Sequence, residues 1–288
     1  MRPYIISTDS TADLPKEFYK EHQVSVHPLY YVIDDVTYGG GTVELEPKEF
    51  YDLMRNGTIP TTTASNPDYI LENMRKHLEE GYDILHISFS SALSCSHNNA
   101  CVCADQLRDE YPEARIEVID SLAATVGQGL LVALAVDLKE KGKSMDEVAS
   151  WVTENRYHSI HEFTVDDLFH LHRGGRVSKS TAIVGSIINI KPILHVDDKG
   201  ELKPLDKIRG RKKVLTTLVN NMEAKIKDYP SDRVYISHAD CIEDANTLAT
   251  MVREKYGIQQ IEICNMCPTI GAHTGPGALA LCYMGSKR

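Results

Sequence analysis

The feature that most constrains this chain is a recurring unit: a short apolar run that ends in hydroxyl or carboxylate residues and is followed by residues at helical spacing. Tyr4-Ile5-Ile6 runs into Ser7, Thr8, Asp9, Ser10 and Thr11. Ile84-Leu85-His86-Ile87 runs into Ser88, Ser90, Ser91 and Ser94, and Ile116-Glu117-Val118-Ile119 runs into Asp120 and Ser121. Short apolar runs bounded by polar clusters suit strands buried on both faces, as in parallel sheets. In an open α/β sheet such strands gather their carboxyl ends along one edge, which is where ligands bind.

The segments between these runs read as helices. Asn66-Pro67 is a helix start, with Asn as N-cap and Pro at the first helical position, and Ile70, Leu71, Met74 and Leu78 follow at helical spacing up to Gly81. Residues 94–111 and 121–141 read as the next two helices, and Ser144-Met145-Asp146-Glu147 matches a capping box. Residues 24–33 alternate as a strand interrupted at Pro28, and Asp34-Asp35 turns into a hairpin ending at Tyr38. After about residue 155 the style shifts. A strand over 160–165, a short helix over 166–172, an apolar helix over 178–188 and a hairpin around Asp197-Asp198-Lys199-Gly200 are expected. Residues 211–228 and 240–255 read as helices, 234–237 and 259–263 as strands, and 275–283 as a final helix. The expected fold is α/β, with two domains, 1–155 carrying a mostly parallel three-layer sheet and 156–288 a mixed sheet.

Composition narrows the function. With 42% hydrophobic and 25% charged residues the 288-residue chain is ordinary for a soluble globular protein. A net charge of −10 argues against a nucleic-acid partner, which needs a basic face. Met1-Arg2-Pro3-Tyr4 enters a strand-like run without the apolar stretch of a signal peptide, and no run of about 18 apolar residues occurs. The expectation is a cytoplasmic protein, not an integral membrane one. Seven Cys at irregular spacing, including one lone pair Cys264/Cys267, read as reduced thiols rather than a zinc site. A redox or metal role for Cys264 and Cys267 stays as a minor alternative.

Several motifs fail on inspection. Gly275-Pro276-Gly277 begins a GxGxxA pattern but has no acidic residue about 20 positions on. Gly142-Lys143-Ser144 lacks the upstream Gly of a P-loop, where Asp137 stands, and Gly127/Gly129 reads as helix packing. No GxSxG elbow or HExxH occurs. What remains is hydroxyl-rich. Thr61-Thr62-Thr63-Ala64-Ser65 crowds hydroxyls before a helix, more than capping needs, and Ser90, Ser91 and Ser94 repeat the pattern at the next junction. Ser94 with a His (His97 or His273) gives an alternative reading as a serine hydrolase or acyltransferase, but no orienting acid is evident. His273 is expected at the N-terminus of the last helix, where the dipole opposes its protonation. Arg173 and Arg176 flank a Gly-Gly turn within reach of an anion, and Lys207, Arg209, Arg211, Lys212 and Lys213 form one dense basic patch that suits docking of an acidic or phosphate-bearing partner.

These segments together resemble the DegV family, the fatty-acid-binding subunits of bacterial fatty-acid kinase. The resemblance rests on Ser7-Thr8-Asp9-Ser10-Thr11-Ala12-Asp13-Leu14, the stretch 61–67, the stretch 90–100, Val118-Ile119-Asp120-Ser121, Gly174-Gly175-Arg176-Val177-Ser178, Asn189-Ile190-Lys191-Pro192 and Gly271-Ala272-His273-Thr274-Gly275-Pro276-Gly277, in family order. It implies two α/β domains with a lipid between them. It implies a long-chain fatty acid such as palmitate as ligand, with its carboxylate met by Thr62 and Ser94 and with His273 and Arg176 in the surrounding polar network. It implies no cofactor and no catalysis by this chain: a separate ATP-dependent kinase phosphorylates the bound carboxylate, and Arg209 matches a position that works with that kinase. The chain departs from the family at Thr63-Ala64-Ser65, where Ser-Gln-Pro is common, and at Ala92, Cys95, Ser96 and His97 within the pattern Ser-Gly-Leu-Ser-Gly-Thr-Tyr.

The physics of such a ligand is favourable. A palmitate-like tail has about 14 methylenes, and at ~0.8 kcal/mol each their burial is worth roughly 11 kcal/mol. Lost motional freedom offsets several kcal/mol of this. Ile183, Val184, Ile187 and Ile188 are candidate tail-lining residues. The buried carboxylate needs hydroxyl and N–H donors, which also fix its oxygens for attack on a phosphoryl group.

Overall fold

The computed structural model describes residues 2–40, 43–179, 190–286 and 288. The expected helix over 178–188, with Ile183, Val184, Ile187 and Ile188, falls almost entirely outside them.

Strands β1 (Tyr4–Asp9), β2 (Ser25–His27), β6 (Asp83–Ser88) and β7 (Ile116–Asp120) form an all-parallel sheet in the order β2-β1-β6-β7. Every residue of β1 and β6 is buried, the polar ones at their carboxyl ends included. From β1 the chain moves out to β2 on one side, and later strands add on the other. The crevice beyond the ends of β1 and β6 is therefore a topological switch point. Asp9 bridges it, accepting a hydrogen bond from the Phe89 N–H at 2.6 Å.

Pro28 does more than interrupt a strand. It separates β2 from β3 (Tyr30–Ile33), and the two lie in different sheets. Strand β3 turns through Asp34 and Asp35, at φ 47° and 63°, into β4 (Val36–Tyr38), as a two-residue hairpin loop requires. On its other side β3 pairs with β5 (Thr61–Thr63), setting Thr62 opposite Tyr31.

Helices α1 (Lys16–Glu21), α2 (Pro47–Arg55), α3 (Pro67–Glu79), α4 (Ser96–Glu110), α5 (Thr125–Glu140) and α6 (Met145–Asn155) connect these strands. Asn66 caps α3 by accepting from the Asp68 N–H at 2.9 Å, and both halves of the Ser144/Glu147 capping box are made. Helix α5 starts four residues later than expected, because the Asp120 and Ser121 side chains accept from the N–H groups of Leu122 and Ala123 and hold a turn there. It packs against both main sheets. A Cβ on Gly127 would lie 1.8 Å from His161 Nε2 of β8, and one on Gly129 2.4 Å from the Ala12 carbonyl, so these two glycines are packing positions as expected.

The second sheet is mixed, in the order β10-β9-β8-β13-β11-β12. It contains β8 (Ser159–Thr164), β9 (Ile190–Val196), β10 (Leu202–Arg209), β11 (Arg233–His238), β12 (Gln260–Asn265) and β13 (Leu279–Met284). Only β11 and β12 run parallel. Helices α7 (Leu168–Arg173), α8 (Arg211–Ile226) and α9 (Ile242–Tyr256) complete this half.

One expectation is corrected. The segment 275–283 is not a helix. A helix α10 runs over Pro268–Thr274, Gly275 and Gly277 at φ 75° and 82° break the chain, and β13 follows, fully buried between β8 and β11. Pro268 at the first helical position sets the earlier start. The run Leu279-Ala280-Leu281-Cys282-Tyr283-Met284 has no period of its own, so pairing on both sides decides its state. The main core draws on both sheets, with Ile87, Leu130, Phe163 and Ala280 in one cluster.

Candidate functional site

Four segments far apart in sequence meet at the carboxyl edge of the parallel sheet. Thr62 lies on β5, Ser94 in the turn before α4, Arg176 just after α7, and His273 in the last turn of α10. All four border one cavity with about 1100 Å³ of atom-free space, its open mouth included. Its walls are mostly apolar: Leu29, Phe89 and Leu93 from the first half, Phe163, Val196 and Ala280 from the second sheet. An apolar cleft with a few convergent polar groups is the form of a small-molecule site.

The polar end is ordered by short hydrogen bonds. Thr62 Oγ1 and His273 Nε2 are 2.8 Å apart. The other ring nitrogen of His273 is buried without a partner, pressed against Gly174, where a Cβ would sit 2.0 Å away. Burial, reinforced by the Arg176 charge, lowers the pKa of His273 to about 4, so the ring is neutral near pH 7. The expected reason for that neutrality is corrected. His273 sits at the C-terminal end of its helix, where the dipole would favour a cation, and desolvation outweighs it.

Arg176 donates from Nε and Nη2 to the Leu93 carbonyl at 3.0 and 2.7 Å, and from Nη1 to the Gly174 carbonyl. It therefore pins the turn that carries Ser94 and the glycine that backs His273. Ser94 Oγ lies 3.0 Å from Ser96 Oγ and accepts from the Ser96 N–H at 3.2 Å. Ser96 Oγ in turn accepts from the Ser65 N–H at 3.2 Å, and Asn99 donates to the Ser65 carbonyl at 2.9 Å. The Ser65 hydroxyl reaches Asp9 at 3.4 Å.

Sequence reasoning did not single out Ser65, Ser96 and Asp9. All three lie inside the segments that carry the resemblance, yet their pairing crosses 31 and 56 positions of sequence and leaves no local pattern. Of the departures, Ala64 and Cys95 line the cavity, whereas His97 turns away, with Nδ1 2.7 Å from Ser88 Oγ and Nε2 3.5 Å from the Cys101 thiol.

These partners bear on the alternatives. The hydroxyl of Ser94 pairs with Ser96, His97 with Ser88, and His273 with Thr62, so Ser94 is hydrogen-bonded to neither histidine of the hydrolase reading. Cys264 and Cys267 are free thiols whose pKa values are raised by burial, the opposite of an activated thiolate.

Arg209 ends β10 at the surface and is not among the cavity-lining residues. The basic patch around it is smaller than its sequence implies. Arg211 is engaged internally, 2.7 Å from Asp244 and 3.5 Å from Asp166, while Lys207, Lys212 and Lys213 are exposed. Among the described residues no helix is long and apolar enough to cross a membrane.

Comparison with known proteins gives a consistent picture. The sequence profile described as "Uncharacterised protein, DegV family" matches residues 4–286. A DegV domain-containing protein of Clostridium perfringens is 43% identical over 289 residues, covering 100% of this chain and 99% of that one. A fatty-acid-binding DegV-family protein from Thermus thermophilus superimposes with a TM-score of 0.88 at 27% identity, covering 99% of this chain and 100% of that one. DegV of Bacillus subtilis, a fatty acid binding protein, superimposes with a TM-score of 0.85 at 29% identity and covers 99% and 100%.

Proposed function

This chain belongs to the DegV family, and from that premise we propose that it binds a long-chain fatty acid such as palmitate and presents the carboxylate to a separate ATP-dependent kinase. The residues 1–155 and 156–288 act as two lobes around one acyl chain. The observation that carries this reading is the pair of hydrogen-bonded hydroxyls, Thr62–His273 and Ser94–Ser96, on the wall of an apolar cavity.

The polarity of those pairs suits an anion. If the Nε2–H of neutral His273 donates to Thr62, the Thr62 hydroxyl keeps its own proton for an acceptor in the cavity. Ser96 offers Ser94 both an N–H and an O–H, so the Ser94 hydroxyl is likewise left as a donor. Two neutral donors with the Arg176 guanidinium behind them offset the cost of burying a carboxylate. The apolar wall takes the tail. The chain itself performs no chemistry in this reading: it fixes the carboxylate oxygens, and ATP comes with the partner, which meets the exposed Arg209. The site needs no cofactor, and the protein works in the cytoplasm.

Denaturing extraction of freshly purified protein followed by mass spectrometry tests the reading directly. About one long-chain fatty acid per chain is expected. Protein that carries no lipid and takes up none from added fatty acid would sink it. Arg209→Ala is expected to leave lipid retention unchanged and to reduce acyl-phosphate formation in an assay with kinase and ATP. Full coupling by that variant would remove Arg209 from the partner surface.

A further inference from the structure

A second polar cluster lies under α3, on the face of the parallel sheet that the lipid reading does not use. Strand register creates it. Asp9 pairs with His27 across β1 and β2, and Ser7 pairs with His86 across β1 and β6, so side-chain alternation sends Asp9, His27 and His86 to one face. Their relative exposures are 1%, 0% and 0%. The ring centroids of His27 and His86 are 4.6 Å apart. His86 Nε2 lies 3.8 Å from Asp9 Oδ1, and the three potential ligand atoms lie within 4.8 Å of one another.

What makes this more than a polar pocket is which atoms have partners. His27 Nε2 is 3.2 Å from Asn73 Oδ1, an acceptor, which requires the proton on Nε2 and leaves Nδ1 a bare lone pair. His86 Nδ1 is 3.0 Å from Ser7 Oγ. The remaining nitrogens, His27 Nδ1 and His86 Nε2, are buried with no hydrogen-bond partner. Imidazoles whose outer nitrogen is held by an oxygen while the inner one is unpartnered follow the pattern of metal-ligating histidines. Asp9 adds a buried carboxylate that accepts from the Phe89 N–H and the Ser65 hydroxyl and, among the described residues, has no Lys or Arg ion partner. A cation would compensate that buried charge.

We propose that Asp9, His27 and His86 bind one divalent transition-metal ion of the zinc class, through a carboxylate oxygen, Nδ1 and Nε2. Two imidazoles and a carboxylate suit borderline ions of this kind rather than Mg²⁺ or Ca²⁺. Tetrahedral ligands at ~2.1 Å from one ion stand about 3.4 Å apart, so the 3.8 Å pair closes by roughly 0.4 Å and the widest pair by up to about 1.4 Å, with the His27 ring turning out of its stack. The site is structural: it ties β1, β2 and β6 together behind Ser65. It is independent of whether the cavity holds a lipid.

The test uses full-length protein stripped with chelator and reloaded with Zn²⁺ or Co²⁺, both by direct addition and by refolding from urea, because the site is closed. One ion per chain is expected, with a raised melting temperature and a Co²⁺ spectrum of nitrogen and oxygen ligands. His86→Gln and His27→Gln should each weaken binding by more than ~100-fold, the upper end for an outer-shell change. If those variants misfold, the wild-type Co²⁺ spectrum still decides: a thiolate charge-transfer band assigns the ion to cysteine and overturns the proposal. No binding at millimolar metal, or undiminished binding in folded variants, overturns it too and leaves a buried water as the occupant.

Discussion

The two polar clusters around the end of β1 both use hydroxyls and imidazoles and have opposite chemistry. At the cavity, Thr62 and Ser94 are each flanked by a neighbour that can donate to them, and each then has an O–H left to give. Under α3, His27 is tied by its outer nitrogen and has a lone pair left, and His86 Nε2 is without a hydrogen-bond partner, both beside a carboxylate. The first arrangement suits an anion and the second a cation. Ligand charge is set here by which partner of each hydrogen bond is left over, not by counting hydroxyls and imidazoles.

Removing the surplus donors should be the most damaging change to the cavity. Hydrogen bonds to a charged group contribute about 1.5–3 kcal/mol each, so Thr62→Ala with Ser94→Ala should weaken fatty-acid retention by roughly 10²–10⁴-fold. Fluorescent fatty-acid displacement measures this, and wild-type retention would dissolve the contrast between the two clusters.

Gly174→Ala comes next. Its Cβ would collide with His273 Nδ1 at 2.0 Å, and the ring must leave Thr62. A drop in affinity of about tenfold is expected, the worth of one ordinary hydrogen bond, with the fold kept. Equal affinity in the two proteins would mean that the His273 contact does not orient Thr62.

The protonation of His273 sharpens the comparison through pH. Its folded pKa of about 4 lies below the unfolded value of 6.5, so its stabilising contribution is complete above pH 6.5 and is lost as pH falls towards 4. Over that window one proton is worth at most ~1.4 kcal/mol per pH unit. His27, also lowered to about 4 by burial, acts in the same direction. Urea denaturation at pH 7, 6 and 5 should show wild type losing stability on acidification and His273→Gln losing less. Parallel curves would place the titration elsewhere.

The smallest effect is expected from Ser96→Ala. It keeps the N–H that Ser94 accepts but removes the O–H, and should weaken retention about threefold to tenfold by the same assay. A loss as large as that of Ser94→Ala would make Ser96 a direct ligand instead.

Much of the architecture is legible in the sequence, because β1, β6 and β7 are short, largely apolar runs bounded by polar clusters and the caps at Asn66 and Ser144 are local signals. The C-terminal segment is less so. Leu279–Met284 has neither period, and only its two strand neighbours make it a strand. Composition and spacing alone leave Thr62, Ser94, Arg176 and His273 as polar loop residues; the family resemblance singles them out. The relay through Ser65, Ser96 and Asp9 is invisible for a simpler reason. Its hydrogen bonds join the loop between β5 and α3 to α4 and to β1 across the switch point, and no window of sequence contains them.

Helix α5 has a consequence for traffic through the cavity. Eleven of its residues are buried, and both its glycines are wedged, one by His161 from the second sheet and one by Ala12 from the first half. A spine shared in this way cannot act as a hinge. Parting the halves like a clamshell would wet the whole helix, so rearranging the loops at the rim is the less costly way to open the cavity.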